Sequence, residues 1–351
     1  MKPRERVLTT LNRSLPDRIP KYFEFTPPVL ETFRKMTGAE DPAEYFDLEV
    51  RKVEFAPSRK VIDFSRYLGN LPPGSTVNEW GIGFIKGSGY AHFEDMVHPL
   101  ARAKSIEEIE EYPFPDLTEE YRWRDVIKEV EEWHRRGYAV MGLPPFFDGT
   151  IFETAWGLRG LENLLMDFVQ NEAFAAALLD KVTSLSEETA AIMAKVDVDI
   201  LVTGDDVGMQ SRMMMSPSMW RKWLKPRLAR VIKAARNVKR DILIFYHSCG
   251  YVEPIIPELI EIGVDVLNPV QPESMDPVKL KELYGERLAF WGTIGTQSVL
   301  PFGTPEDVKR QVKYMIETVG RGGGLVLAPT HVIEPEVPWE NIMAFIEAVN
   351  S

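Results

Sequence analysis

Six short runs of apolar, β-branched or aromatic residues recur along the chain, at 138–143, 199–203, 242–246, 264–268, 288–291 and 325–328. Each is almost free of charge, as a strand buried on both faces must be. The stretches between them carry helix patterns. Residues 161–195 read as two helices, with Leu161, Leu164, Leu165 and Phe168 on one stripe. Ser216-Pro217 and Thr304-Pro305 each supply an N-cap followed by proline at the first helical position. Pro226 should kink or split the helix over 216–236. Strands alternating with helices imply parallel βαβ units. With 18–25 (RIPKYFEF) and 61–67 as two further strands, the pattern predicts a (β/α)8 TIM barrel in one domain, residues 1–351. Counting strands leaves an open doubly wound sheet as the alternative.

The region 70–137 breaks the rhythm. It holds Pro72-Pro73, Gly81, Gly83, Gly87, Gly89 and an acidic run at 106–111, and it reads as an insertion covering the catalytic end of the barrel. A chain of 351 residues with 44% hydrophobic content has ample material for a large core. Its net charge of −12, from 41 basic and 53 acidic residues, argues against a nucleic-acid binder, which needs a basic face. No run of 18 apolar residues and no secretory apolar segment at the start points to a membrane or to export. A single cysteine excludes an internal disulfide and any four-cysteine metal site. The expectation is a cytoplasmic enzyme without membrane or nucleic-acid partners.

In parallel α/β folds the reactive groups sit at the carboxyl ends of strands. That rule selects Asp205 and Asp206, His247 and Cys249, Gln271, Gly292 and Thr293, and His331. His247 and Cys249 are two apart, so an extended backbone places both on one face. A closed barrel brings His331 to the same end. One thiolate and two imidazoles then form a three-ligand set with an open fourth position, the pattern of catalytic zinc. The plain alternative is a buried cysteine with two histidines bonded to nearby backbone. Asp205 or Asp206 would orient a metal-bound histidine or accept a proton; turn chemistry is their bland reading. Glu79, beside Trp80 in the Gly-rich region, is a weaker catalytic candidate. Gln271, Gly292 and Thr293 are candidates for holding a cofactor. The glycines at 320–324 precede a strand and read as a connection. No Walker motif, strand-linked GxGxxG or nucleophile elbow is present.

At these residues the chain resembles the superfamily of uroporphyrinogen decarboxylase and the cobalamin-dependent methyltransferases. The resemblance rests on Pro16-Asp17-Arg18-Ile19-Pro20, on Tyr112-Pro113-Phe114-Pro115-Asp116, and on Ser216-Pro217 with Trp220, Trp223 and Pro226. Leu327-Ala-Pro-Thr-His-Val-Ile-Glu-Pro335 and Pro338-Trp-Glu-Asn341 extend it to the last strand and helix. It implies a (β/α)8 barrel. The decarboxylase branch carries an Arg-Gln-Ala-Gly-Arg segment after the first strand; here Lys21-Tyr-Phe-Glu-Phe-Thr-Pro-Pro28 stands, with Glu24 and no arginine. The methyltransferase branch carries His-x-Cys and a later Cys that bind zinc. His247-Ser248-Cys249 matches the first part, and His331 stands where the later Cys is expected. The resemblance therefore implies a zinc-dependent methyltransferase using methylcobalamin or another corrinoid as co-substrate. It also implies a small thiol acceptor and a separate corrinoid protein as partner. The alternatives are a porphyrinogen decarboxylase of heme biosynthesis and a non-catalytic corrinoid- or partner-binding barrel.

Overall fold

All six apolar runs form strands, and a seventh that the hydrophobic pattern concealed precedes them. The computed structural model describes residues 1–86 and 94–351. Its main sheet has seven parallel strands in sequential order: β1 (Val50–Glu54), β2 (Ala139–Leu143), β3 (Ile200–Gly204), β4 (Leu243–His247), β5 (Val266–Asn268), β6 (Ala289–Ile294) and β7 (Leu325–Pro329). Sequential order without a reversal sets the doubly wound alternative aside. The sheet is curled: Val50 of β1 and Val326 and Ala328 of β7 belong to one inner apolar cluster, with Met141, Val202, Phe245 and Trp291 between them. A larger cluster fills the space between the sheet's outer face and the helices.

Two expectations change here. Residues 61–67 form no strand; they run as coil into the short helix Ser65–Leu68. The first strand is Val50–Glu54 instead, whose Arg51 and Lys52 disguise it. Arg51 is buried with its guanidinium 3.9 Å over the Tyr138 ring, and Lys52 points into the curled interior. Arg51 is tolerated in the core because the Tyr138 ring matches it, while Lys52 keeps its head in the open cavity beside Glu24 and Glu54. Nor does the sheet close as an eight-stranded ladder. Segment 20–25 touches β7 only through isolated parallel bridges, Lys21 to Leu327 and Phe25 to Ile333. On its β1 side, Lys21 N–H donates to the side chain of Glu49 at 3.2 Å. A side-chain carboxylate stands where a ladder carbonyl would be, so the hydrogen-bonded sheet stops at seven strands.

The segment 70–137 divides into parts. Strands Thr76–Val77, Gly83–Lys86 and Glu94–Val97 make a separate antiparallel sheet. Phe84 lies 6.1 Å from Phe147, just beyond the carboxyl end of β2. Glu120–Arg136 is the helix that crosses from β1 to β2 and packs on both. Gly87 and Gly89 lie outside the described residues. Elsewhere the helix signals act as read. Ser216 accepts from Met219 N–H at 3.1 Å, and the chain breaks between helices Pro217–Trp223 and Lys225–Val238, just ahead of Pro226. Among the described residues no helix is long and apolar enough to cross a membrane.

Arg122 ties the excursion after β1 to the curled sheet. It is buried, and donates to Ala56 O at 3.0 Å, Asp116 O at 3.0 Å and Glu79 Oε1 at 2.8 Å. Removing it strands three acceptors, one of them charged. Arg122→Ala is expected to cost about 3–5 kcal/mol in urea unfolding. Limited proteolysis of the variant should cut first within residues 57–118.

Candidate metal centre

The exits of β3 and β4 meet because Gly204 lets them. A side chain there would strike the backbone of His247, so only glycine permits the approach. The chain then delivers Asp205 and Asp206 from β3, and His247 and Cys249 from β4. His247 Nε2 lies 3.6 Å from Cys249 Sγ and 3.5 Å from Asp206 Oδ1. These three ligand atoms all fall within 4.8 Å of one another, the one such group among the described residues.

The tautomer of His247 is set by its neighbours. Asn268 donates its Nδ2 to Trp291 O at 3.2 Å, which turns its Oδ1 toward His247 Nδ1 at 2.5 Å. Nδ1 must therefore carry the hydrogen, and Nε2 presents a lone pair. A lone pair, a carboxylate and a thiol thus converge with no donor among them but the thiol proton. Tetrahedral zinc, with bonds of about 2.3 Å to sulfur and about 2.0–2.2 Å to nitrogen and oxygen, holds its ligand atoms about 3.4–3.6 Å apart. The observed spacings of 3.6 and 3.5 Å match that requirement. The donor set fits the ion.

Behind the cluster lies an acidic layer. Asp205 is buried and accepts from Ile151 N–H and Glu153 N–H, each at 3.0 Å, capping the helix Phe152–Arg159 from across the sheet. Burial pushes its carboxyl up to about 7, against the pull of those N–H groups. Glu153 Oε2 accepts from Asp206 N–H at 2.8 Å. Burial, then the charges of Asp205 and Asp206, push Glu153 up to about 9. Burial, with Asp206 and Glu153 nearby, pushes the Cys249 thiol up to about 12. Asp206 itself accepts from Cys249 N–H at 2.7 Å. In the metal-free protein this site therefore holds extra protons, and an arriving cation displaces them.

The remaining sequence candidates are dispersed. His331 is about half exposed, with Nδ1 3.2 Å from Val332 O, and stands outside the three-residue group. It lines the same cavity as His247, of about 510 Å³, and with Cys249 a second one of about 380 Å³. Gln271 is buried and accepts from Gly250 N–H, steadying the turn after Cys249. Gly292 packs its backbone against Pro269 O, and Thr293 is wholly buried with φ +76° and an unpartnered hydroxyl; neither lines the cavities. Glu79 is engaged by Arg122. The structure adds Glu153, Asp148 and Asn268. The signal for the first two was the exit of β2, Phe146-Phe147-Asp148-Gly149, to which the strand-exit rule applies as it does to β3 and β4.

A curled parallel sheet whose strand exits gather a thiol, an imidazole and a carboxylate beside an apolar cavity defines an α/β protein with a half-barrel sheet and a metal-capable centre. The chain belongs to the uroporphyrinogen decarboxylase (URO-D) family, whose model matches residues 101–351. It is 27% identical over 202 residues to a methylcobamide:CoM methyltransferase of Methanosarcina barkeri, covering 55% of this chain and 56% of that protein. It is 23% identical over 250 residues to a methylated-thiol–coenzyme M methyltransferase of Methanosarcina mazei, covering 68% and 61%. A uroporphyrinogen decarboxylase of Coxiella burnetii is 24% identical over 180 residues, covering 50% and 46%. The chain thus spans about half to three fifths of these relatives. A solved methyltransferase from Methanosarcina mazei superposes over 100% of this chain and 98% of its own, with a TM-score of 0.70 at 20% identity, and so shares the fold.

The shifts in the acidic layer have a sign. Unfolded glutamate loses its proton near 4.5, whereas Glu153 keeps it to about 9. Between those values the folded chain binds more protons than the unfolded one, so stability falls as pH rises. Metal-free protein is expected to lose stability from pH 5 to pH 9. Glu153→Gln should flatten that slope, by an amount on the order of a few kcal/mol across the window. Urea unfolding at a series of pH values reads it.

Proposed function

We propose that this chain is a zinc-dependent methyltransferase that moves a methyl group between a methylcobamide and a thiol. The carrying observation is the His247, Cys249 and Asp206 donor set, with Cys249 Sγ and Asp206 Oδ1 both at tetrahedral spacing from His247 Nε2. The names of two relatives supply the reaction class. In this reading His247 Nε2, Cys249 Sγ and Asp206 Oδ1 hold zinc. Asp206 takes the third place that the sequence pattern offered to His331, and His331 lines the approach. Bound there, zinc supplies a coordinated thiol that is deprotonated at neutral pH.

The chain's own residues do the rest. Asn268 keeps His247 in the tautomer that faces the centre. Glu153 holds the backbone N–H of Asp206, and Cys249 N–H holds its carboxyl. Tyr22, Phe245 and Trp291 wall the cavity in which the acceptor would sit. The acceptor sulfur gives an electron pair to the methyl carbon, the cobalt–carbon bond breaks with its pair kept on cobalt, and the thiol proton leaves to water. The corrinoid comes on a separate protein, the small antiparallel sheet covers the catalytic end, and segment 20–25 serves as the eighth stave of the barrel. The setting is the reducing cytoplasm, where Cys249 stays a thiol.

Zinc measured on dialysed protein tests the centre. The parent is expected to hold one zinc per chain, and Cys249→Ala and Asp206→Asn to lose more than the roughly 10–100-fold in affinity that removal of an outer-shell partner costs. Methyl transfer from methylcobalamin to a small thiol should collapse in the same variants. Equal zinc in parent and Cys249→Ala would sink the reading. So would porphyrinogen decarboxylation that survives chelation, which is the other activity named among the relatives.

A further inference from the structure

The cavity beside the candidate centre has a charge pattern that bears on which thiol enters it. The charged side chains lining it are Glu24, Lys52 and Asp148, with His247 and His331 at the end toward the centre. Lys52 is already matched twice over. Its Nζ lies 3.1 Å from Glu24 and 3.1 Å from Glu54, and Glu24 also accepts from Tyr22 O–H at 2.5 Å. An anion entering this space meets no free cation among the described residues. Asp148 is the reverse case. It lines the cavity at the exit of β2, exposed, and has no hydrogen-bond or ion-pair partner among the described residues. The walls add to the bias. Trp291 meets Tyr22 edge-on at 5.2 Å and Phe245 at 5.3 Å, so this side of the cavity is aromatic. Carboxylates together with aromatic faces are what an ammonium group prefers. A sulfonate or carboxylate would have to compete with Glu24 and Glu54 for Lys52, and would still face Asp148.

We infer that the acceptor is a small thiol carrying a positively charged amine, whose ammonium pairs with Asp148 in this net-negative cavity, and not an acidic thiol. This rests on the proposed methyltransferase reading and adds the substrate class to it. Three probes of equal chain length separate charge from size: 2-(methylthio)ethylamine, 2-(methylthio)ethanol and 2-(methylthio)ethanesulfonate. They are the S-methylated products of an amino, a neutral and an acidic thiol, so their binding is read by calorimetry on the full chain without turnover. At pH 7 the amine is expected to bind about tenfold or more tightly than the alcohol, and the sulfonate most weakly. Asp148→Asn should erase the gap between amine and alcohol while leaving the alcohol's affinity and the thermal melt in place. Glu24→Gln should narrow the same gap. A sulfonate that binds more tightly than the amine would overturn the inference and identify Lys52 as an anion anchor. Equal binding of all three, or none, would overturn it as well. Methyl transfer from methylcobalamin to 2-aminoethanethiol is measured beside them. Amine binding without transfer to 2-aminoethanethiol, 2-mercaptoethanol or 2-mercaptoethanesulfonate would keep the inference about the cavity and reject the methyltransferase reading.

Discussion

Two backbone N–H groups, those of Ile151 and Glu153, meet the buried carboxylate of Asp205, and the placement of the whole centre depends on that contact. It pins the start of the helix Phe152–Arg159 to the exit of β3. Glu153 is thereby set where its carboxyl takes the N–H of Asp206. Asp206 in turn takes the N–H of Cys249. Each link is a hydrogen bond between the side chain of one strand exit and the backbone of another. A buried carboxyl left without such donors costs about 1–3 kcal/mol or more, so the chain of bonds behaves as one unit.

The same economy explains the interior wall. Lys52 and Arg51 are adjacent on β1 and point to opposite faces. Arg51 goes outward under the rings of Trp133 and Tyr138. Lys52 goes inward between Glu24 and Glu54. Both cations are compatible with a sheet interior because each is matched at short range. The matching leaves the cavity itself with surplus negative charge and an aromatic surface, and those properties set what it can hold.

The centre was half legible in the sequence. Period-two alternation is a local property, so the shared face of His247 and Cys249 follows from their spacing alone. The strand-exit rule likewise found Asp205 and Asp206 without knowing which would turn toward the thiol. Nothing local separates them. Asp205 faces a helix 50 residues back in the chain, and Asp206 faces β4, because the chain leaves β3 through Gly204 with successive side chains pointing apart. The role of Asn268 was out of reach, since its amide is oriented by a carbonyl on β6. The sequence pattern conceals strand β1 and favours 61–67 in its place, because a strand with two adjacent cations looks solvated until its partners are in view.

The alternation of apolar runs with amphipathic helices by itself determined that this chain builds a parallel α/β sheet with its chemistry at one end. Buried strands and amphipathic helices are dictated by which residues water excludes, and that is written position by position. Which carboxylate completes the donor set, where His331 stands, and what charge the cavity wall keeps were decided only by the tertiary structure. Those outcomes depend on distances between residues far apart in sequence, and on burial, which sets the protonation of Glu153, Asp205 and Cys249 through surroundings that no single segment contains.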